Sequence, residues 1–269
     1  MSTPAVLVDR VDDVLTITLN RPERRNALNP QLLDDFDAAF AAVDDEVRVV
    51  VLQGAGKAFS SGHDLSWNPE EELDDPTDEA ALAAITERLH EITRRIRGCP
   101  VPVVARVHGY AVGGGAEIAL SADLVVASDT ATFRFTETAV GLVVTNGFTA
   151  LLPRTAGPVV AKEIIMLGEP FGGVQAKAWG LVNRVVPDAG LDAEVARIVG
   201  ILREKSPHAL LLAKSLLDQA WEGSAEEVMR RETLASVRAC LHPDVREAAA
   251  AFSEKRAPRF SPVAPAGAR

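Results

Sequence analysis

A chain of 269 residues, 47% of them hydrophobic and 5% aromatic, carries a formal net charge of −10 and is long enough to bury a large core. That acidic balance would repel a phosphate backbone or an anionic lipid surface, which excludes nucleic-acid and membrane binding as the main activity and leaves only local basic spots for one phosphorylated ligand. Two cysteines without metal-ligand spacing, Cys99 and Cys240, and no secretory leader or apolar run of about 18 residues point to a reducing, cytoplasmic setting.

Alternation makes Val11 to Leu19 a strand, and Val6 to Val8 can pair with it through a hairpin at Asp12-Asp13. Asn29 followed by Pro30 is a helix start, a capping side chain before a proline at the first helical position, and Leu32, Leu33, Phe36, Phe40 and Val43 supply the apolar stripe. Val47 to Leu52 reads as a buried strand. The loop that follows, Gln53 to Leu65, is rich in Gly and Ser yet carries one large apolar anchor, Phe59. Asn68 to Glu79 is almost wholly acidic and polar, which predicts an exposed, mobile loop, or a lid over a site. Ala80 to Ile96 is helical and stops at Gly98 and Pro100; Val103 to Val107 is a strand, a helix starts at Gly114, and Leu124 to Ala127 is again a strand. Strand and helix alternate, so the fold class is α/β. Val159 to Leu167 and Gln175 to Trp179 read as helices and Val182 to Val186 as a strand. Beyond Leu191 only helices are predicted: Ala193 to Arg203, His208 to Ala220, Ala225 to Leu241 and Asp244 to Lys255, with a loose tail from Ala257.

Three consecutive glycines, Gly113, Gly114 and Gly115, stand between the strand ending at Val107 and the small-residue helix that follows. Backbone N–H groups at a helix start have no partner within the helix, and glycines put no Cβ in a ligand's way, so this turn suits an oxyanion. Glycine clusters also simply mark turns. Glu117 favours chemistry over a bare turn, because a carboxylate beside an oxyanion hole is what proton transfer requires.

The stretch Lys57-Ala58-Phe59-Ser60-Ser61-Gly62-His63-Asp64-Leu65, followed by His108-Gly109-Tyr110-Ala111-Val112-Gly113-Gly114-Gly115-Ala116-Glu117, resembles the two signature stretches of the enoyl-CoA hydratase/isomerase (crotonase) superfamily. The likeness extends from Asn20-Arg21-Pro22 and Asn26-Ala27-Leu28 to Ala176, Trp179-Gly180-Leu181-Val182-Asn183, Val185-Val186-Pro187 and Phe252-Ser253-Glu254-Lys255-Arg256. The resemblance implies a β-β-α spiral core over residues 1–195 and a C-terminal helical trimerisation region over residues 196–269, assembled as a homotrimer or as a hexamer of paired trimers. It implies an acyl-CoA thioester substrate, with no cofactor beyond the coenzyme A that the substrate carries. Carried onto this chain, the backbone N–H groups of His63 and Gly114 form the oxyanion hole, and Glu117 and Glu137 are the two catalytic carboxylates. Lys57, with Arg24 and Arg25, faces the CoA phosphates, and Ala58, Ser61, Asp64, Leu65, Gly113 and Lys255 complete the substrate-binding set.

The chain departs from the hydratase pattern in three places. Val144-Thr145-Asn146-Gly147-Phe148 stands where many hydratases have Pro-Gly-x-Gly-Gly, which alters the pocket wall and its helix start; Glu23 stands where the family has a lysine after Arg-Pro; and Ser66 replaces another CoA-binding lysine. Thr145 occupies the position at which dienoyl-CoA isomerases and dehalogenating relatives place an essential Asp. The function implied is a trans-2-enoyl-CoA hydratase. The alternatives are a 3,2-enoyl-CoA isomerase, which needs one carboxylate as a proton shuttle, and a non-catalytic crotonase-like protein that binds acyl-CoA or RNA; the acidic balance opposes RNA, and two intact acids oppose loss of catalysis.

Overall fold

The computed structural model describes residues 3–67, 75 and 77–262. Most of the expected acidic loop, residues 68–74 and 76, and the end of the expected loose tail, residues 263–269, lie outside the described residues. The alternating N-terminal segment forms an antiparallel hairpin, β1 (Val6–Val11) and β2 (Val14–Leu19), which turns at Asp12 with φ 55°. Asn29 caps α1 (Pro30–Ala41) by accepting the Leu32 N–H at 3.0 Å. Next come β3 (Val49–Gly54), α2 (Glu79–Gly98) capped by the Asp78 carboxylate, β4 (Val103–Val107), β5 (Tyr110–Val112), α3 (Gly114–Leu120), β6 (Leu124–Ser128) and β7 (Thr132–Arg134). The chain continues through α4 (Phe148–Ala156), α5 (Pro158–Leu167), β8 (Phe171–Gly172), α6 (Gly173–Ala178) and β9 (Arg184–Val186). Four helices follow: α7 (Leu191–Arg203), α8 (Pro207–Asp218), α9 (Ala225–Leu241) and α10 (Pro243–Ser253).

Among the described residues the strands make two sheets. The larger runs β1-β2-β3-β4-β6-β9, parallel from β2 onward, and the smaller runs β5-β7-β8. A single parallel bridge from Ser60 to Ala111 adds the loop after β3 to the smaller sheet. Successive turns of the spiral therefore place β3 with Ser60, β4 with β5, and β6 with β7, each turn supplying one layer to each sheet. The central strands of the larger sheet are buried on both sides: Val50, Leu52, Val103 and Ala105 point into the main core with α1 and α2, while Val49, Val51, Val104 and Val126 meet Leu191, Val195, Ile198 and Val199 of α7. Burial on both sides accounts for the unbroken apolar runs of β3 and β4. The predicted anchor Phe59 is fully buried in the main core.

Two expectations meet a different arrangement. The division after residue 195 falls inside α7, whose apolar face is part of the sheet's own core, so packing on the sheet continues past that residue. The tail is not loose from Ala257: Arg259 N–H is accepted by Glu247 Oε1 at 2.7 Å and Ser261 N–H by Asp244 Oδ1 at 3.2 Å, because α10 offers two carboxylates to it. No helix among the described residues is long and apolar enough to cross a membrane.

Candidate active site

The site is assembled where the loop after β3 meets the start of α3. Asn26, fully buried with φ 57°, holds that loop: its side-chain amide donates to the carbonyls of Ala55 and Ala58 at 2.9 Å and of Phe59 at 3.1 Å, and its Oδ1 accepts Arg21 N–H at 2.8 Å. Ser60 Oγ donates to Asn26 O at 2.8 Å and accepts Gly62 N–H at 3.2 Å. A Cβ on Gly115 would stand 2.6 Å from Ser60 O, and one on Gly62 would stand 2.4 Å from Val112 O and 3.3 Å from Gly114 N. The glycines are therefore required by the close approach of two backbones, which brings residues 62–63 against residues 112–114. Leu28 N–H donates to Gly62 O and Asp64 N–H to Leu28 O, so the His63 peptide is clamped between them. Among the described residues no protein acceptor takes the N–H of His63 or of Gly114.

Two carboxylates flank that backbone. A Cβ on Gly113, where φ is 51°, would stand 3.2 Å from Glu137 Oε1, and one on Gly114 would stand 4.0 Å from Glu117 Oε2. Glu117, 2% exposed on α3, accepts Thr145 N–H on Oε1 at 2.9 Å and the Asn146 amide on Oε2 at 2.6 Å. Burial raises its pKa, and the donors from Asn146 and Thr145 oppose that rise. Glu137, in the 3₁₀ turn Glu137–Val140 that follows β7, is half-buried and its Oε2 has no protein hydrogen-bond partner. Burial raises its pKa and the nearby charge of Glu117 adds to the rise, while backbone N–H groups of Glu137 and Thr136 oppose it. Two acids in one site thus differ in the donors they hold, which separates an ionised role from a protonated one.

His63 stacks on Trp67 with ring centroids 4.8 Å apart, and burial lowers its imidazole pKa, with the charge of Asp64 opposing. The Asp64 side chain is engaged with Arg21 at 2.9 Å and with Ser66 Oγ at 2.6 Å. Although burial works against it, those Ser66 and Arg21 contacts hold the Asp64 carboxyl below its ordinary range, so it acts on the loop's shape. Ser61 N–H donates to Arg25 O, and a Cβ on Gly56 would meet Pro22 Cβ at 2.8 Å; the turn bearing Arg24 and Arg25 therefore packs on the loop bearing Lys57. All three cations are exposed, as is Leu65, whereas Ala58 is fully buried. Lys255 lies beyond α10, exposed, and no hydrogen bond or ion pair among the described residues joins it to these loops. Among the described residues no group of three or more His, Cys, Asp or Glu side chains is placed to hold a metal.

The structure adds three residues that the sequence did not single out for a role. Asn26 shapes the loop, Asn146 holds Glu117, and His108 steadies Gly56. The Arg106 guanidinium can only donate, so His108 Nδ1 accepts from it at 3.0 Å and the Nε2 hydrogen goes to Gly56 O at 2.9 Å. For the two asparagines the available signal was conformational: both are non-glycine residues at positive φ, where Asn is enriched. Neither that signal nor any spacing shows which carbonyls or carboxylates the side chains reach.

The sequence pattern of the family described as enoyl-CoA hydratase/isomerase matches residues 9–262, nearly the whole chain. The chain belongs to this family. Among its relatives are the 2,3-dehydroadipyl-CoA hydratase of Escherichia coli, 33% identical over 95% of this chain and 98% of that one, and the 1,2-epoxyphenylacetyl-CoA isomerase of the same organism, 34% identical over 92% and 95%. The crystal structure of an enoyl-CoA hydratase from Bacillus anthracis superposes with a TM-score of 0.88 at 29% identity, covering 96% of this chain and 99% of that one. The fold is thus the crotonase fold, an α/β spiral followed by several C-terminal helices, and the enzyme is of the hydratase/isomerase type that acts on acyl-CoA substrates.

Proposed function

We propose that the protein is an enoyl-CoA hydratase, adding water across the double bond of a trans-2-enoyl-CoA to give a 3-hydroxyacyl-CoA. The observation that carries this reading is the pair Glu117 and Glu137 set against Gly113 and Gly114, beside the unclaimed N–H groups of Gly114 and His63. When oxygen adds to C3, negative charge moves to the thioester oxygen, and two fixed amides aimed at it are worth about 3 kcal/mol each at the transition state. Glu117, supplied with donors, is the base: it takes a proton from the water whose oxygen bonds to C3. Glu137, with one oxygen unpartnered and beside a like charge, is the acid that delivers the proton to C2. One proton leaves water and one reaches carbon, so the carboxylates exchange a proton to reset the site, and as a close pair they titrate together. The balance needs no cofactor.

Lys57 with Arg24 and Arg25 forms the cationic edge that receives the CoA phosphates, while Ala58, Ser61, Asp64, Leu65 and Gly113 shape the wall beside them. Lys255 contributes only if assembly or chain movement brings it there. We further propose a homotrimer or hexamer in the cytoplasm. The deciding experiment offers the purified protein a panel of enoyl-CoA thioesters and weighs the products. Gain of the mass of one water is expected. The second reading, a 3,2-enoyl-CoA isomerase, is favoured by one observation: both Glu117 oxygens already hold donors, leaving Glu137 as the acid with a free oxygen, and one acid suffices to shuttle a proton. Products of unchanged mass would replace the hydratase reading with that one.

A further inference from the structure

We infer that Asn146 is a positioning residue for Glu117, its side-chain amide holding the carboxylate in one orientation and in its ionised form while Thr93 holds the amide. Asn146 stands at φ 55° just before Gly147, the N-cap of α4, and is 8% exposed. Asparagine tolerates the left-handed region, so the backbone alone would explain the residue type. It does not explain the inward turn of the side chain. Nδ2 donates to Glu117 Oε2 at 2.6 Å and to Thr145 Oγ1 at 3.3 Å, and Oδ1 accepts from Thr93 Oγ1 at 3.1 Å. Thr93 Oγ1 also lies 3.3 Å from Ser121 Oγ, but Ser121 gives its one hydrogen to the Glu117 carbonyl at 2.7 Å and Thr93 gives its own to Oδ1, so neither donates to the other. The buried circuit therefore runs from Thr93 through the Asn146 amide to the Glu117 carboxylate.

Donor counting orients this circuit. The amide oxygen cannot donate, so while Thr93 gives its hydrogen to Oδ1 the NH₂ group must face Glu117. Turning the amide over would set a carbonyl oxygen against a carboxylate, which is tolerable only if Glu117 is protonated. The circuit therefore favours ionised Glu117. Thr145 holds the other oxygen through its backbone N–H, which any residue but proline would supply; on Oε2 the short contact at 2.6 Å is the asparagine amide's, and the Thr145 hydroxyl adds a longer one at 3.3 Å. The other titratable groups that bear on Glu117 are Glu137, from the turn after β7, and His90 of α2, which itself lies 3.6 Å from Glu87.

The inference rests on the hydratase reading for its effect on turnover, but not for its effect on titration. Asn146→Gly keeps the left-handed backbone and deletes the amide. It is expected to lower kcat about tenfold or more with KM within about twofold, and to move the acid limb of the kcat profile to higher pH, because the carboxylate loses a donor. Thr93→Val should act in the same direction more weakly, and should add nothing in the Asn146→Gly background. Independently of activity, carbon-13 NMR of the glutamate carboxyls, with the Glu117 signal assigned by its loss in Glu117→Gln, should show Glu117 titrating at higher pH in Asn146→Gly than in the parent. If the parent hydrates no enoyl-CoA, the hydratase reading falls and this titration still decides the role of Asn146; if Asn146→Gly fails to fold, Thr93→Val carries the same measurement. An unchanged Glu117 titration, or an unchanged kcat in an active enzyme, overturns the inference.

Discussion

Glu117 is buried and Glu137 half-buried, and only Glu117 has donors on both oxygens. Burial raises both pKa values, so the folded chain holds these protons more tightly than the unfolded chain. The stability this gives is complete below the ordinary glutamate range and is lost as pH rises through the raised values. Glu137→Gln removes a poorly solvated charge, and its NH₂ group can take the place of Oε2, which has no protein partner. Urea denaturation should find this variant more stable than the parent at about pH 8, with the difference shrinking towards about pH 4. Glu117→Gln should instead lose stability, since its new NH₂ group would face either the Thr145 N–H or the Asn146 amide, a donor against a donor. Both substitutions are expected to cut kcat by roughly 10²- to 10⁴-fold with little change in CoA-ester binding, and the double variant should lose far less than the product of the two. Full activity in Glu117→Gln beside a dead Glu137→Gln would indicate the isomerase. Both acids were legible as residues, because the Gly-Gly-Gly-Ala-Glu stretch and the segment after Phe133 carry the family pattern. The difference between them was not, since it depends on Thr145 and Asn146, 28 and 29 residues from Glu117.

The loop from Gln53 to Leu65 has no regular structure to hold it, and its shape comes from one buried amide. The two hydrogens of the Asn26 amide are shared among three of its carbonyls, and removing the side chain would take that donor group from all three. Asn26→Ala should therefore cost roughly 2–4 kcal/mol in chemical denaturation and, in the protein that remains folded, raise KM because the Lys57 edge is no longer held. Lys57→Ala tests that edge directly. An exposed cation binds phosphate through a screened charge, so KM should rise a few-fold to about tenfold, less in high salt, with kcat unchanged. An unaltered KM would remove Lys57 from the site. The composition of this element correctly predicted a loop anchored by Phe59. It could not predict Asn26 as its support, because the partner lies 29 to 33 residues away on a different turn of the spiral.

Across the whole molecule, the apolar surface is unevenly spent. Helix α9 has no buried residue, and Leu234, Val237, Leu241 and, on α10, Phe252 are exposed, the last at 87%. A second exposed apolar group, Leu142, Val143, Met166 and Leu167, lies just past Glu137 and on α5. Contiguous faces of this kind are costly for a free monomer, and association covers them. Light scattering at micromolar concentration should give the mass of a trimer or hexamer, and a monomer would refute this. Charge substitutions on α9, such as Leu234→Glu, should lower the mass without unfolding α1 to α7.

What the sequence by itself determined is what neighbours along the chain decide. Alternation set β1 and β2, Asn29-Pro30 set the start of α1, the apolar stripe set α2, and α9 was read at its observed ends, Ala225–Leu241, because period and capping act over about four residues. The tertiary structure decided what depends on distant partners. Strands β5, β7 and β8, two or three residues each, are too short to show a period and exist because the spiral lays them beside Ser60 and one another. For helix α4 only a start near Phe148 was read, and its course to Ala156 runs through Pro153, a breaker in sequence that is accommodated within the helix here. Likewise only packing shows α7 as part of the sheet's core and Asn146 as the holder of Glu117. A hydrophobic period records which face must leave water, whereas a buried hydrogen bond is defined by two segments that the chain brings together only on folding.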